Sequence, residues 1–328
     1  MEEKKLYPFR FCSLQDEYSW GSDEFCLADL GYRDSLVRDG WLAGNAISEV
    51  MDTYMDRVVG ENVFNFWGRQ FPVQVKHIKV NGKMPLRVHP DADTAVQRYD
   101  FLGREKLWYV LKAGKNARLI IGFAHDTDAG EVVSACSDGS IEKLMNIVAP
   151  YEGQFLHIRP GVPHAAIGDI ELLEISESSP LDFCMYSWGD EVSAEEFDPS
   201  LGLVEALDFI DYKAWKAPEP PHSHPGDAVQ KLVDIPEFTV TLLKLTDPLH
   251  IYSERFDSFI LYSCLQGEAS VQLEILGQTA RFPLSAGQTM LVPAECPDFF
   301  LVPTDRDTRI LETTIAPREE KDSYLTKQ

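Results

Sequence analysis

Two histidines in strand-like, proline-edged segments are the first residues of this chain that could do chemistry. His89 lies in Leu86-Arg-Val-His-Pro90, and His164 follows Arg159-Pro-Gly-Val-Pro163. If neighbouring strands bring them together, their imidazoles offer two ligands to a divalent metal. Taken singly, each is an ordinary hydrogen-bonded histidine near a rim. The chain has only eight histidines, so their placement carries information. His222 and His224 sit among prolines and glycine and read as solvent-exposed, and His125 and His157 read as surface residues.

Charged residues gather on the same segments. Glu174 belongs to Ile170-Glu-Leu-Leu-Glu-Ile175, where strand alternation sets it on one face with Leu172. A carboxylate on an inner face needs a cation, a donor or a water-filled pocket. Lys76, Arg87, Arg104 and Lys106 cluster around these strands. They suit a phosphorylated sugar, although each could instead pair with a surface carboxylate for little gain. Neither a P-loop, nor a dinucleotide fingerprint, nor a GxSxG nucleophile elbow occurs.

The elements that must position these groups are mostly strands. Residues 71–80, 107–111, 118–122, 153–160 and 170–175 form short runs rich in β-branched and aromatic side chains, separated by Gly, Pro, Asn and Asp turns. Helices are fewer, expected within 35–54, over 140–148 and over 204–212. Residues 216–226 hold four prolines and cannot continue a helix, so the expected division is an N-terminal domain at 1–216, carrying the pocket, and a linker with a C-terminal domain at 217–328. The second part returns to strands, and Leu284-Ser-Ala-Gly-Gln-Thr-Met-Leu-Val-Pro-Ala294 echoes Tyr151-Glu-Gly-Gln-Phe-Leu-His-Ile-Arg-Pro160. Many short strands without regular intervening helices point to an all-β chain of two related sandwiches or barrels with a few short helices.

Composition narrows the partners. With 30 basic against 53 acidic residues, the formal charge is −23, which disfavours nonspecific binding to nucleic acid or to an anionic membrane. The first residues lack the apolar core of a secretory signal, and no apolar run is long enough to span a bilayer. Six scattered cysteines without a CxxC fit buried thiols and a cytoplasmic setting.

Several segments together resemble the bacterial short form of class I mannose-6-phosphate isomerase, a two-cupin, jelly-roll family. They are Tyr18-Ser-Trp-Gly21, residues 34–44, Phe71-Pro-Val-Gln-Val-Lys76, Val88-His-Pro-Asp91, Gly103 through Tyr109, and Pro160-Gly-Val-Pro-His-Ala165 followed by Leu173-Glu-Ile175. The resemblance implies two cupin barrels and an aldose–ketose isomerase acting on a sugar phosphate through an enediol. The family holds zinc with Gln, two His and Glu. His89 and His164 match the histidines, but the Gln position falls on Arg87 and the Glu position on Lys106. The family's lysine becomes Arg104, a later arginine aligns with Cys184, a further basic residue falls near Asp190, and Glu174 is retained.

Three readings follow. In a divergent isomerase, a β-bulge turns Glu105 inward to join His89 and His164 at a rearranged metal site, zinc by the family's precedent, with Glu174 as base and Arg104 assisting. In a noncatalytic carbohydrate or sugar-phosphate binder, Arg87 and Lys106 fill the former cation position against Glu174, with Lys76 nearby. In an interaction scaffold, ligand binding is lost altogether.

Overall fold

The computed structural model describes residues 4–189, 202–217, 227–253, 256–275 and 277–316. His222, His224 and Asp190 lie outside these residues. Short strands predominate, and the helices are few, the longest running Ala129–Asp138. Among the described residues no helix is long and apolar enough to cross a membrane.

Contacts divide the chain into two compact units. One comprises residues 15–25 and 75–219, the other residues 1–14, 26–74 and 220–328. Residues 1–14 and 26–74 group with the C-terminal segment in this division.

The first unit is built on two antiparallel sheets. One runs in the order Leu14–Tyr18, Gly21–Leu27, Val73–Val80, Ile170–Glu177, Lys106–Ala113, Phe155–Ile158. The other runs Phe183–Tyr186, Leu86–Val88, His164–Ile167, Arg118–Phe123, Met145–Val148. Ile78, Trp108, Ile158 and Leu172 from the first sheet share one apolar cluster with Leu119, Ile121 and Ala166 from the second. The two inner faces therefore pack as a sandwich, which alternating strands require of a sheet with one apolar face.

The second unit repeats this plan. One sheet runs Phe9–Arg10, Thr289–Val292, Ile260–Gln266, Thr308–Thr314, Thr239–Leu245, Val229–Asp234, and the other Leu249–Ile251, Phe299–Pro303, Glu268–Ile275, Gln278–Ser285. The repeated Gly-Gln signature holds in three dimensions. Gly153 and Gly287 both turn at positive φ, 84° and 82°, each just ahead of a four-residue strand, Phe155–Ile158 or Thr289–Val292. A side chain would strain that turn, which explains glycine at both positions.

Local expectations fared unevenly. Ile47–Tyr54 is helical as expected, whereas 140–148 is not one helix: a single turn at Ile141–Lys143 leads into the strand Met145–Val148. Pairing of Ile147 with Ile120 and of Val148 with Leu119 overrides the helical pattern. Helices over Ala92–Tyr99 and Ala129–Asp138 were not expected. Each starts at an aspartate, Asp91 or Asp128, whose carboxylate accepts a backbone N–H of the first turn.

Candidate functional site

The charged side chains singled out in the sequence converge between the two sheets of the first unit. Three neighbouring strands of one sheet supply Lys76, Glu174, Lys106 and Trp108. Facing them, His164 stands opposite Arg87 in an antiparallel pair, His89 follows the Leu86–Val88 strand, and Asp182 precedes Phe183–Tyr186. A hydrogen bond from the Gly161 N–H to the His89 carbonyl, 2.9 Å, fixes the turn carrying that histidine. His89, His164 and Lys106 are fully buried and Glu174 is 1% exposed.

Glu174 is the hub. It lies directly across from Trp108, whose indole Nε1 donates to Oε2 at 2.8 Å. Arg104 donates to Oε1 at 3.1 Å, Lys76 Nζ lies 3.4 Å from Oε1, and Lys106 Nζ lies 3.8 Å from Oε2. Burial alone would raise this carboxyl, but Lys106, Lys76 and Arg104 hold it well below the usual carboxylate range. A group held ionised and so fully hydrogen-bonded is an anchor for cations; its oxygens are not placed as a free base.

Asp182 is the second anion, and the sequence reading did not single it out. Lys106 Nζ is 3.3 Å from its Oδ2, with Arg87 and Arg104 each 3.9 Å from the same atom. Burial opposes ionisation here as well, yet Lys106 and Arg104 pull the Asp182 carboxyl far down. Asp23 makes a third, 3.1 Å from Lys76 Nζ. Asp182 stands among serines, a proline and apolar residues, and Asp23 beside another acid, so no motif marks either one.

Four cations thus face three carboxylates. Both imidazoles are neutral: burial, then Lys106, lowers His164 to about 3 and His89 well below its ordinary value. Burial brings Lys106 down to about 8 against the pull of Asp182 and Glu174, so it is largely protonated at neutral pH. Four buried cations gathered in one core, in a chain of net charge −23, form an arrangement suited to an anionic ligand.

The ligating atoms of His89, His164 and Asp182 lie within 4.8 Å of one another, a composition known from metal sites. Among the described residues, neither nitrogen of the buried His89 ring has a hydrogen-bond partner. His164 Nδ1 donates to the Val162 carbonyl at 3.0 Å, the outer-shell bond common in metal-binding histidines. Its Nε2, however, accepts from the Lys106 ammonium at 3.0 Å. The lone pair and the carboxylate a divalent ion would need are already engaged by a cation. Metal placed on them would meet strong repulsion. The residues present do not fit zinc.

Glu105 is not brought to this cluster. Its carboxylate lies 2.7 Å from His157 Nε2, and its backbone N–H donates to Glu177 at 2.9 Å. The bulge needed to turn it inward is absent from the pairing of Lys106–Ala113, whose register shift with its neighbour falls at Glu171/Leu172, and Lys106 takes the inward place. His157 is accordingly a partner for Glu105, His125 is exposed, and Cys184 stands across from Arg87 on the neighbouring strand.

Comparison with known proteins agrees with this architecture. The chain is 24% identical over 320 residues to mannose-6-phosphate isomerase ManA of Bacillus subtilis, covering 90% of this chain and 95% of the relative. Mannose 6-phosphate isomerase from Bacillus subtilis, as a crystal structure, superposes with a TM-score of 0.80 at 20% identity, over 94% of this chain and 100% of that one. The chain is thus similar to mannose-6-phosphate isomerases along nearly its whole length. A zinc-bound mannose 6-phosphate isomerase shares the fold at a TM-score of 0.70 and 12% identity, over 95% of this chain and 100% of that one. No protein-family model matches the chain.

Proposed function

We propose that this protein recognises a sugar phosphate at the cluster of the first unit and interconverts aldose and ketose forms by enediol proton transfer, without a metal. We further read both units as jelly-roll barrels of the cupin kind, in a cytoplasmic protein. The observation that carries the functional reading is the gathering of four buried cations, Lys76, Arg87, Arg104 and Lys106, in one sandwich core. Cations in a buried core are costly unless they meet anions, and the substrate named for the similar isomerases supplies one.

In this reading the phosphate or the sugar oxygens engage Arg87, Arg104 and Lys76. Lys106 donates to the oxygen that becomes anionic when the proton leaves C2, the stabilisation that such chemistry chiefly needs. His89, neutral and without a hydrogen-bond partner on either nitrogen, moves the proton between C2 and C1. Glu174 holds the cations in place. The arginine that the resemblance expects at position 184 is a cysteine directly opposite Arg87, so a guanidinium has been kept on the adjoining strand.

A noncatalytic sugar-phosphate binder is the second reading, and one observation favours it. Glu174, the conserved-type carboxylate expected as base, is held in its ionised form by Trp108 and three cations. Two measurements on the EDTA-treated protein separate the readings: calorimetric binding of fructose 6-phosphate, and a coupled assay of its conversion to mannose 6-phosphate. Isomerase action predicts saturable binding with turnover abolished by His89→Ala. Binding weakened about tenfold or more by Arg87→Ala, with no turnover, establishes the binder. Neither binding nor turnover overturns both.

A further inference from the structure

The cation nearest the candidate metal ligands is Lys106. Lys106 Nζ touches His164 Nε2 at 3.0 Å and Asp182 Oδ2 at 3.3 Å, and stands 3.8 Å from Glu174 Oε2. It therefore occupies the junction of the same donors that a divalent cation would use. The side chain is fully buried, so its charge cannot be turned out to solvent without opening the sandwich. Around it the donors are otherwise well placed: His164 is oriented through Val162, His89 has both nitrogens open, and the three ligating atoms lie within 4.8 Å.

We propose that Lys106 is the resident cation of this site, a covalently tethered ammonium that performs the charge-organising role of a divalent metal and excludes one. Residue 106 then sets the choice between ammonium and metal, with Arg87 and Arg104 at 3.9 Å from the Asp182 carboxylate as more distant cations. Removing the ammonium uncovers a His89, His164 and Asp182 triad, three protein ligands with room for a water, and a carboxylate at the same position would complete four. The proposal concerns the pocket invoked above, but it is decided by metal content, so it stands or fails independently of sugar-phosphate binding or turnover.

The test uses the full-length, untagged chain and zinc alone. After exchange against zinc and dialysis, metal analysis of the wild type is expected to find well under one zinc per chain. Its melting temperature is expected to be unmoved by zinc or EDTA. Lys106→Met and Lys106→Glu are expected to take up about one zinc per chain, with affinity raised at least about 100-fold, since a full charge within contact distance of the ion has gone. Zinc should raise their melting temperature, and adding His89→Ala should remove both effects. One tightly held zinc in the wild type, lost on His89→Ala, overturns the proposal. So do folded Lys106→Met and Lys106→Glu variants that both stay zinc-free. Should neither variant fold, the wild type alone decides: refusal of zinc upholds the tethered ammonium, and uptake removes it.

Discussion

Trp108 and Glu174 stand opposite each other across two antiparallel strands of one unit, and Tyr262 and Glu312 do the same in the other. In both, the aromatic donor occupies the third position of its strand and the glutamate the fifth of its own. The indole donates at 2.8 Å and the phenol at 3.0 Å. What surrounds the two pairs differs completely. Two residues before Trp108 is Lys106, and two before Tyr262 is Ile260. His164 opens its strand and pairs with Arg87, whereas Phe299 opens the corresponding strand and pairs with Ile251. Ile251, Ile260, Tyr262 and Phe299 all belong to one apolar cluster. Burial consequently raises the Glu312 carboxyl and pushes the Tyr262 phenol well up, while the cations keep Glu174 ionised. The same cross-strand device is a structural contact in one sandwich and the hub of a charged site in the other. Scaffold alone does not set the chemistry of the core; the residues flanking the shared pair do.

Removing one negative charge is the strongest way to break that comparison. Glu174→Gln leaves Lys76, Arg104 and Lys106 in a core that has lost their shared anion, and a buried pair broken from one side typically costs about 3–5 kcal/mol. Glu312→Gln keeps the hydrogen-bond acceptor and removes a charge that burial already disfavours, so a change within about 1 kcal/mol is expected. Urea unfolding of both variants gives the difference. Equal losses would mean that the cations around Glu174 contribute nothing beyond the pair itself.

Proton uptake sharpens the contrast next. Glu174 and Asp182 are held below their unfolded values, so the stability they contribute is present above about pH 4 and drains away as pH falls below it. Asp29, in the other unit, goes the opposite way. Burial raises it from 3.8 to about 6, despite its hydrogen bond from the Phe71 N–H at 2.7 Å. The native state then binds the extra proton between about pH 4 and 6, and stability falls as pH rises through that window. A shift of this size corresponds to about 3 kcal/mol. Asp29→Asn should abolish that slope while leaving the loss below pH 4 intact. A wild-type stability that is flat from pH 4 to 6 would refute the assignment.

Much of this was legible in the residues, for identifiable reasons. Strand period and turn chemistry at Gly153 and Gly287 are local, and they marked the repeated sandwich. Lys76, Arg87, Arg104, Lys106, His89, His164 and Glu174 could be named because charge on an apolar-patterned strand is conspicuous. Asp182 escaped because it lies just before a strand, where an aspartate is unremarkable, and Asp23 because it stands beside Glu24 in a polar-looking run. Glu105 was expected inward on the assumption of a bulge, and a single residue of register decides between it and Lys106. Register is set by pairing with distant strands, Ser176 opposite Lys106 and Ile158 on its other side. No local pattern carries that information.

The finest test asks what each aromatic donor contributes. Trp108→Phe withdraws one donor from Glu174, but Arg104 and Lys76 still bind the same carboxylate. The loss should be that of one hydrogen bond to a charged group plus a small void, about 1.5–3 kcal/mol. Tyr262→Phe leaves the ring in the apolar cluster and strips Glu312 of the hydrogen bond from the phenol. Because that carboxyl can take up a proton, the expected loss is nearer 1 kcal/mol at neutral pH and smaller still as the solution is acidified. The Trp108→Phe loss should not shrink on mild acidification, since Glu174 titrates far lower. Parallel pH dependence in the two variants would show that the two glutamates share one protonation behaviour, and the distinction between a carboxyl held down by cations and one raised by burial would fall.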